Sequence, residues 1–322
     1  MLDRPEGLDD ADLTAALATG WGWQPHSLTY RPVGFGAYHW TATDGDGRSW
    51  FVTVDDLTVD PEPAEVVHAG LARALATAGA LREAGLEFVV APVPATTGEP
   101  VRRLDARYAV SVFPLVDGAA GRFGPHRPRD VPEVLDLLAR LHAATSAVAG
   151  TVQRADLDVP GRDGLLAALR DLDRPWTGGP FAEPARRLLA DRADHVAGLL
   201  AEVDRLVARV AATGSDWVVT HGEPHPGNLM WTGAGLRLVD WDTVRLGPPE
   251  RDLWFLAGDT GTDALVGWTA STGRPVDPDA LALYRLRWDV ADIAGFVADF
   301  RRSHRESEDT TAAFGYLRGY LT

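Results

Sequence analysis

The chain has no cysteine. Disulfide frameworks and thiolate metal sites are excluded, and a cytoplasmic setting is the expectation. Lysine is absent too, so all 31 basic residues are arginine. Together with abundant Ala, Gly, Pro and Arg, this reads as the bias of a GC-rich coding sequence rather than an adaptation. No apolar run approaches the roughly 20 residues that span a bilayer, and the opening Met1-Leu-Asp-Arg-Pro-Glu-Gly7 is polar and acidic, unlike a secretory signal. The formal net charge is -15. A nucleic-acid surface should be basic, so nucleic acid is not an expected partner, nor, with no spanning run, is a membrane, and a neutral or cationic small molecule fits better. What is present is ordinary for a globular enzyme: 322 residues, 45% hydrophobic and 24% charged. Oligomeric state, monomer or homodimer, stays open.

The first third reads as mostly β. Residues 28–33 are extended, Gly34-Phe-Gly36 breaks the run, and Tyr38-His-Trp40 resumes it. Asp44-Gly-Asp-Gly47 is a hairpin signal before the strand Trp50-Phe-Val-Thr-Val54. Val66, Val67, Leu71, Leu75 and Leu81 recur at helical spacing and Gly85 suits a C-cap, predicting a helix over 63–85. Strands near 87–91 and 107–113 complete the order β-β-β-α-β-β. Pro114, Gly118, Gly121, Gly124 and Pro125 mark a boundary. Beyond it the pattern is helical over 130–146, 164–172, 182–212 and 278–302, interrupted by short strands at 217–220, 229–231 and 236–239. The expected domains are residues 1–113 and 114–322. The expected class is α+β, a protein-kinase-like bilobal fold with a small β-rich N-lobe and a larger, mainly helical C-lobe.

The chemistry-bearing run is His221-Gly-Glu-Pro-His-Pro-Gly-Asn228, followed by a strand ending in Val239-Asp-Trp-Asp242. Phosphoryl transfer needs a carboxylate to hold and deprotonate the attacking hydroxyl, and metal ions to neutralise phosphate oxygens. Mg²⁺ takes hard oxygen ligands, usually one or two from protein. A loop acid, an Asn five residues later and an Asp on the next strand supply that set. Protein kinases space their catalytic Asp and metal-binding Asn identically.

With Pro248-Pro-Glu-Arg-Asp-Leu253, Leu138-Ala-Arg-Leu-His142 and the late helix 281–302, these motifs resemble the aminoglycoside phosphotransferase and choline kinase-like family, especially its spectinomycin-type, actinobacterial branch. The resemblance implies a small-molecule kinase that uses ATP or GTP and Mg²⁺. It implies Glu223 as base, Asn228 and Asp240 as metal ligands, and His221 and Asp252 as loop scaffold. Phe113-Pro-Leu115-Val becomes a purine-binding hinge, and Gly34 to His39 a phosphate loop with Gly34, Gly36 and His39 in contact.

Two departures from the family stand out. Glu223 occupies a position where Asp is usual, and Thr53 stands where a phosphate-binding Lys would align. Arg48, Arg73 and His39 are the candidate replacements for that charge. A nucleotide- or metabolite-binding pseudokinase without turnover is the alternative function. Asp242 reads as a second metal or substrate carboxylate, or as a cap. Asp289 and Asp292 share a helix face with Asp299 nearby, and line a cationic-substrate pocket or a solvated acidic surface. His225 contacts loop backbone or substrate, and Trp176 lies in a loop that reads as exposed.

Overall fold

A computed structural model of the chain describes residues 1–59, 62–213, 216–258 and 264–322. The elements run α1 (Asp10–Trp21), β1 (Ser27–Arg31), β2 (Ala37–Thr43), β3 (Ser49–Asp56), α2 (Ala64–Glu83), β4 (Arg102–Arg103), β5 (Tyr108–Pro114), β6 (Ala119–Ala120) and α3 (Val131–Ala143). Then come α4 (Arg162–Arg170), α5 (Ala182–Asp191), α6 (Ala193–Thr213), β7 (Val218–Thr220), β8 (Leu229–Thr232), β9 (Gly235–Leu238), β10 (Arg245–Gly247), α7 (Glu250–Ala257), α8 (Val266–Thr272), α9 (Pro278–Arg301) and α10 (Glu308–Leu321). The chain divides into two compact units. One holds Met1, residues 3–155 and 217–276; the other holds Leu2, residues 156–216 and 277–322.

In the first unit a five-stranded antiparallel sheet has the order β1-β2-β3-β5-β4. Strand side chains alternate between faces. Trp40, Ala42, Val52, Val54, Tyr108, Val110 and Val112 therefore share one face, where they pack with Leu13, Leu17 and Trp21 of α1. Each fully buried leucine contributes roughly 1.5–3 kcal/mol to holding α1 on the sheet. The opposite face carries Arg31, His39, Phe51, Thr53, Asp55, Ser111 and Phe113, which line a cavity.

One element has no counterpart in the sequence reading, and one expectation fails. Helix α1 precedes the first strand, where no element was expected. Its signal is the capping box in which Asp9 accepts from the Asp12 amide while Asp12 accepts from the Asp9 amide. Residues 87–91 form no strand. Val89 makes only an isolated bridge to Leu238, and β4 takes the sheet edge instead. Phe88, Val89 and Val90 are buried, and a short apolar run looks the same in a strand and in a buried turn.

The rest of this unit is a small frame for one loop. β7 pairs with β10, and β6-β8-β9 form a second sheet. Gly121 lies so close to the loop that an added Cβ would stand 2.7 Å from the Pro226 carbonyl oxygen. Val134, Leu138 and Leu141 bury the inner face of α3 completely.

The second unit is helical. Its core joins Val196, Leu200, Val203 and Leu206 of α6 to Leu283, Val290, Ile293 and Val297 of α9. Asp277 caps α9 by accepting from the Asp279 and Ala280 amides, with Pro278 in the first turn. The single helix expected over 182–212 is two, α5 and α6, broken at Arg192, whose side chain donates to the Leu321 carbonyl at 2.8 Å. Trp176, expected to be exposed, is 8% exposed in this core, with the Arg301 guanidinium 5.4 Å from its ring centroid. Burial there follows from helices that sequence periodicity does not bring together.

Candidate active site

The strand β7 ends at Thr220, and the chain turns immediately into His221-Gly222-Glu223. Gly222 has φ 102°, and a Cβ there would stand 2.3 Å from the Arg251 guanidinium, so only glycine fits without displacement. The fully buried Asp252 on α7 holds this turn from below. Its Oδ1 accepts from the Gly222 amide at 2.6 Å, and its Oδ2 accepts from the His221 amide at 3.1 Å and from His142 Nε2 at 2.9 Å. Burial pushes its carboxyl upward, but the His142 hydrogen bond and the nearby Arg251 charge hold it below the usual carboxylate range.

His221 ties the loop to the next strand. Its Nε2 donates to the Val239 carbonyl at 2.9 Å while Nδ1 accepts from the Glu223 amide at 3.2 Å. Burial lowers its pKa to about 4, so the ring is neutral at pH 7 and the tautomer follows from those two bonds. Asn228 closes the arrangement: its Nδ2 donates to the Glu223 carbonyl at 3.0 Å and its own carbonyl accepts from the Val239 amide at 3.0 Å. One hydrogen bond thus ties Asn228 to Glu223, and Asn228 and His221 together hold Val239, the residue before Asp240. His225 Nδ1 accepts from the Gly227 amide at 3.1 Å, so His225 serves the loop backbone.

Asp240 follows Val239 with φ 68°, alone among non-glycine described residues in the left-handed region. Such a conformation costs of order 1–3 kcal/mol and persists where the surroundings impose it. Here the Val239 bonds precede it, and the buried Trp241 after it donates from its indole to the Leu238 carbonyl at 2.9 Å.

Asn228, Asp240 and Asp242 line a cavity of about 440 Å³ together with Gly34, His39, Phe113 and Leu115. Asp55 lines it too, and its Oδ2 is buried without a hydrogen-bond partner. Asp240 and Asp242 keep solvent-exposed surface while lining this cavity. Burial first, then the charges of Asp242, Glu223 and Asp55, raise Asp240 well above the ordinary carboxyl range. Burial and Asp242 raise Asp55 to about 7. Crowded carboxylates of this kind fit a divalent cation. Magnesium prefers oxygen donors, and the Asn228 amide nitrogen is committed to Glu223, which leaves Oδ1 as its free end. Among the described residues no three His, Asp or Glu side chains form a preformed metal cage; an ion that keeps most of its waters does not need one.

The sheet wall of the cavity shows what sequence reading missed. Arg31 pairs with His39, His39 with Thr53, and Thr53 with Ser111, so four side chains form one row across β1, β2, β3 and β5. All four line the cavity. Only the strand register reveals that Arg31 belongs there. His39 Nδ1 lies 3.2 Å from Thr53 Oγ1, and the ring stacks on Phe51. Burial, then the N-terminal ammonium, lower its pKa to about 4, so it supplies no charge at pH 7. Arg48 sits at the far hairpin between β2 and β3, and neither it nor Arg73 lines the cavity.

Gly34 and Gly36 both have positive φ, as the loop between β1 and β2 requires; Gly34 lines the cavity and Gly36 does not. Asp289 and Asp292 belong to the helical unit and are not in the cavity lining. They are half-buried rather than a solvated face. Asp292 accepts from the Tyr320 hydroxyl at 2.6 Å, and burial raises both carboxyls.

An antiparallel sheet walling a cavity that also holds a loop Asn and the Asp that follows β9 is the architecture of kinase-like phosphotransferases. Residues 29–318 match the phosphotransferase enzyme family, and the chain belongs to it: a kinase of small molecules whose acceptor is a hydroxyl. It is 32% identical over 256 residues to Protein StrN of Streptomyces griseus, covering 75% of this chain and 74% of that one. Among solved structures it resembles the spectinomycin phosphotransferase APH(9)-Ia in complex with ADP and spectinomycin, at TM-score 0.72 and 16% identity, over 98% of this chain and 95% of that chain. It also resembles a microcompartment-associated aminopropanol kinase, at TM-score 0.62 and 17% identity, over 97% and 95%.

Proposed function

We propose that the chain transfers the γ-phosphoryl group of ATP or GTP to a hydroxyl of an amine-bearing natural product, in the manner of an antibiotic-modifying kinase. The observation that carries this reading is a loop in which Asn228 is hydrogen-bonded to Glu223 and to the Val239 amide, next to Asp240 in a cavity shared with Asp55 and Asp242. Glu223 is the base: its carboxylate orients the acceptor hydroxyl and takes its proton as the oxygen attacks phosphorus. Asn228 Oδ1 and the Asp240 carboxylate are the metal ligands, with Asp242 beside them. Bound magnesium neutralises the phosphate oxygens. Phe113 and Leu115 form the apolar edge against which the purine lies, and Gly34 and His39 border its phosphates, with Gly36 serving the turn of that loop. In this reading residues 1–113 are the nucleotide lobe and 114–322 the catalytic lobe. Spectinomycin and aminopropanol, named for structural neighbours, are aminated alcohols; the charge of -15 suits such cations.

The test is a donor-by-acceptor screen read by mass spectrometry, with ATP and GTP against aminocyclitols, aminoglycosides and amino alcohols. A phosphorylated product with wild-type protein and none with Asp240→Ala is the expected result. Full activity in Asp240→Ala would remove the metal assignment. A second reading, a binding protein without turnover, draws on the uncharged Thr53 in the cavity wall. Magnesium-dependent nucleotide binding with no product across the whole screen would favour it.

A further inference from the structure

Resting on the reading of the cavity as the donor-nucleotide site, we infer that Arg31 at the end of β1 is the cation that binds the donor's terminal phosphates, replacing from two strands away the charge that Thr53 lacks. A triphosphate brings several negative charges into a wall already holding Asp55, Asp240 and Asp242. Some fixed positive group must face it. Among the described residues, Arg31 is the one Arg in the cavity lining. Arg31 is exposed and lines the cavity, and its guanidinium makes no hydrogen bond or ion pair with any described residue.

The other arginines near the loop are committed. Arg251 donates to Thr220 Oγ1 at 2.9 Å and to the Thr243 carbonyl at 2.7 Å. Arg245 donates to the Val244 carbonyl at 2.7 Å. Both therefore brace backbone rather than face the cavity.

Position supports the same assignment. The row Arg31-His39-Thr53-Ser111 runs across one face of the sheet. Adjacent strands lie about 4.8 Å apart, so the Arg31 backbone stands roughly 10 Å from that of Thr53. A long arginine stem directed along the row covers most of that gap, over the neutral His39 ring between them. Arg31 is also the root of the glycine loop: its carbonyl accepts from the Val33 amide at 2.8 Å, just before Gly34. A guanidinium there presents a planar fork suited to phosphate oxygens, with the hydroxyls of Thr53 and Ser111 as neutral donors further along. No other residue of the row carries charge at pH 7.

Binding of adenosine, ADP and ATP, or the guanosine series if GTP is the donor, by calorimetry with magnesium tests this. The proteins are wild type, Arg31→Gln, Arg31→Lys and the double variant Arg31→Gln/Thr53→Lys. Arg31→Gln is expected to weaken ATP by roughly 10- to 100-fold, the loss of one charge-assisted contact, and leave the nucleoside within about twofold. Arg31→Lys should fall between, and Thr53→Lys should recover much of the lost ATP affinity by placing a cation in the same row. ATP affinity unchanged in Arg31→Gln overturns the assignment, as does an equal loss of nucleoside and ATP, which would mark a structural role. Wild-type protein that binds neither nucleoside nor triphosphate would instead overturn the donor-site reading, and this inference with it.

Discussion

Substituting Asp252 by Asn tests how the loop is held. The carboxylate accepts from three donors, the Gly222 and His221 amides and His142, and is fully buried. Asparagine keeps the shape but offers one acceptor oxygen, and its NH₂ group must face at least one of those donors. A hydrogen bond to a charged group contributes about 1.5–3 kcal/mol, and breaking a buried charged network costs about 3–5 kcal/mol. The expected loss is therefore about 3–5 kcal/mol. For a protein whose units are of this size, each kcal/mol lowers Tm by roughly 2–4 °C, so the variant should melt on the order of 10 °C lower. The pH dependence has a fixed sign. The folded pKa of Asp252 is depressed, so its contribution is full above the unfolded value of about 3.9 and is lost as pH falls through the folded value. Melting curves of both proteins between neutral and acid pH should show a gap that narrows only below about pH 4. A variant that melts with wild type at pH 7 would refute this account of the loop.

Three further outcomes follow. Asp240→Asn should lower kcat by about 100-fold or more while leaving the melting temperature near or above wild type, because it removes one of several mutually repelling carboxylates; equal losses of stability and activity would count against it. Asp55 has a folded pKa raised to about 7, so its destabilising effect grows as pH rises from about 4 to 7 and is full above that; Asp55→Asn should therefore raise Tm at pH 8 and leave it unchanged near pH 4, in metal-free thermal scans. Gly222→Ala combines φ 102° with a Cβ 2.3 Å from the anchored Arg251 guanidinium, and should cost about 2–3 kcal/mol in a denaturant titration.

Much of the site could be read along the chain because it is local. Glu223, Asn228 and Asp240 sit on one loop and one hairpin, and their spacing is set by a turn and two short strands. The β-rich first third was legible for the same reason: period-two patterns and the Asp44-Gly-Asp-Gly47 turn act between neighbours. Helix α1 escapes sequence reading because a polar cap has more than one structural solution, and the strand expected at 87–91 fails because a short apolar run does too. Trp176 was misplaced because its burial depends on α9, more than a hundred residues away.

The sequence by itself determined the family, the identity of the loop acids and the absence of any lysine to clamp phosphate. Only the tertiary structure decided which groups face one another. Strand register set Arg31 in a row with Thr53, and α7 carried Asp252 under two loop amides. The same folding crowded Asp55, Asp240 and Asp242 into one cavity and shifted their protonation. The physical reason is that burial and electrostatic coupling depend on distances through space, which residue order constrains only between near neighbours.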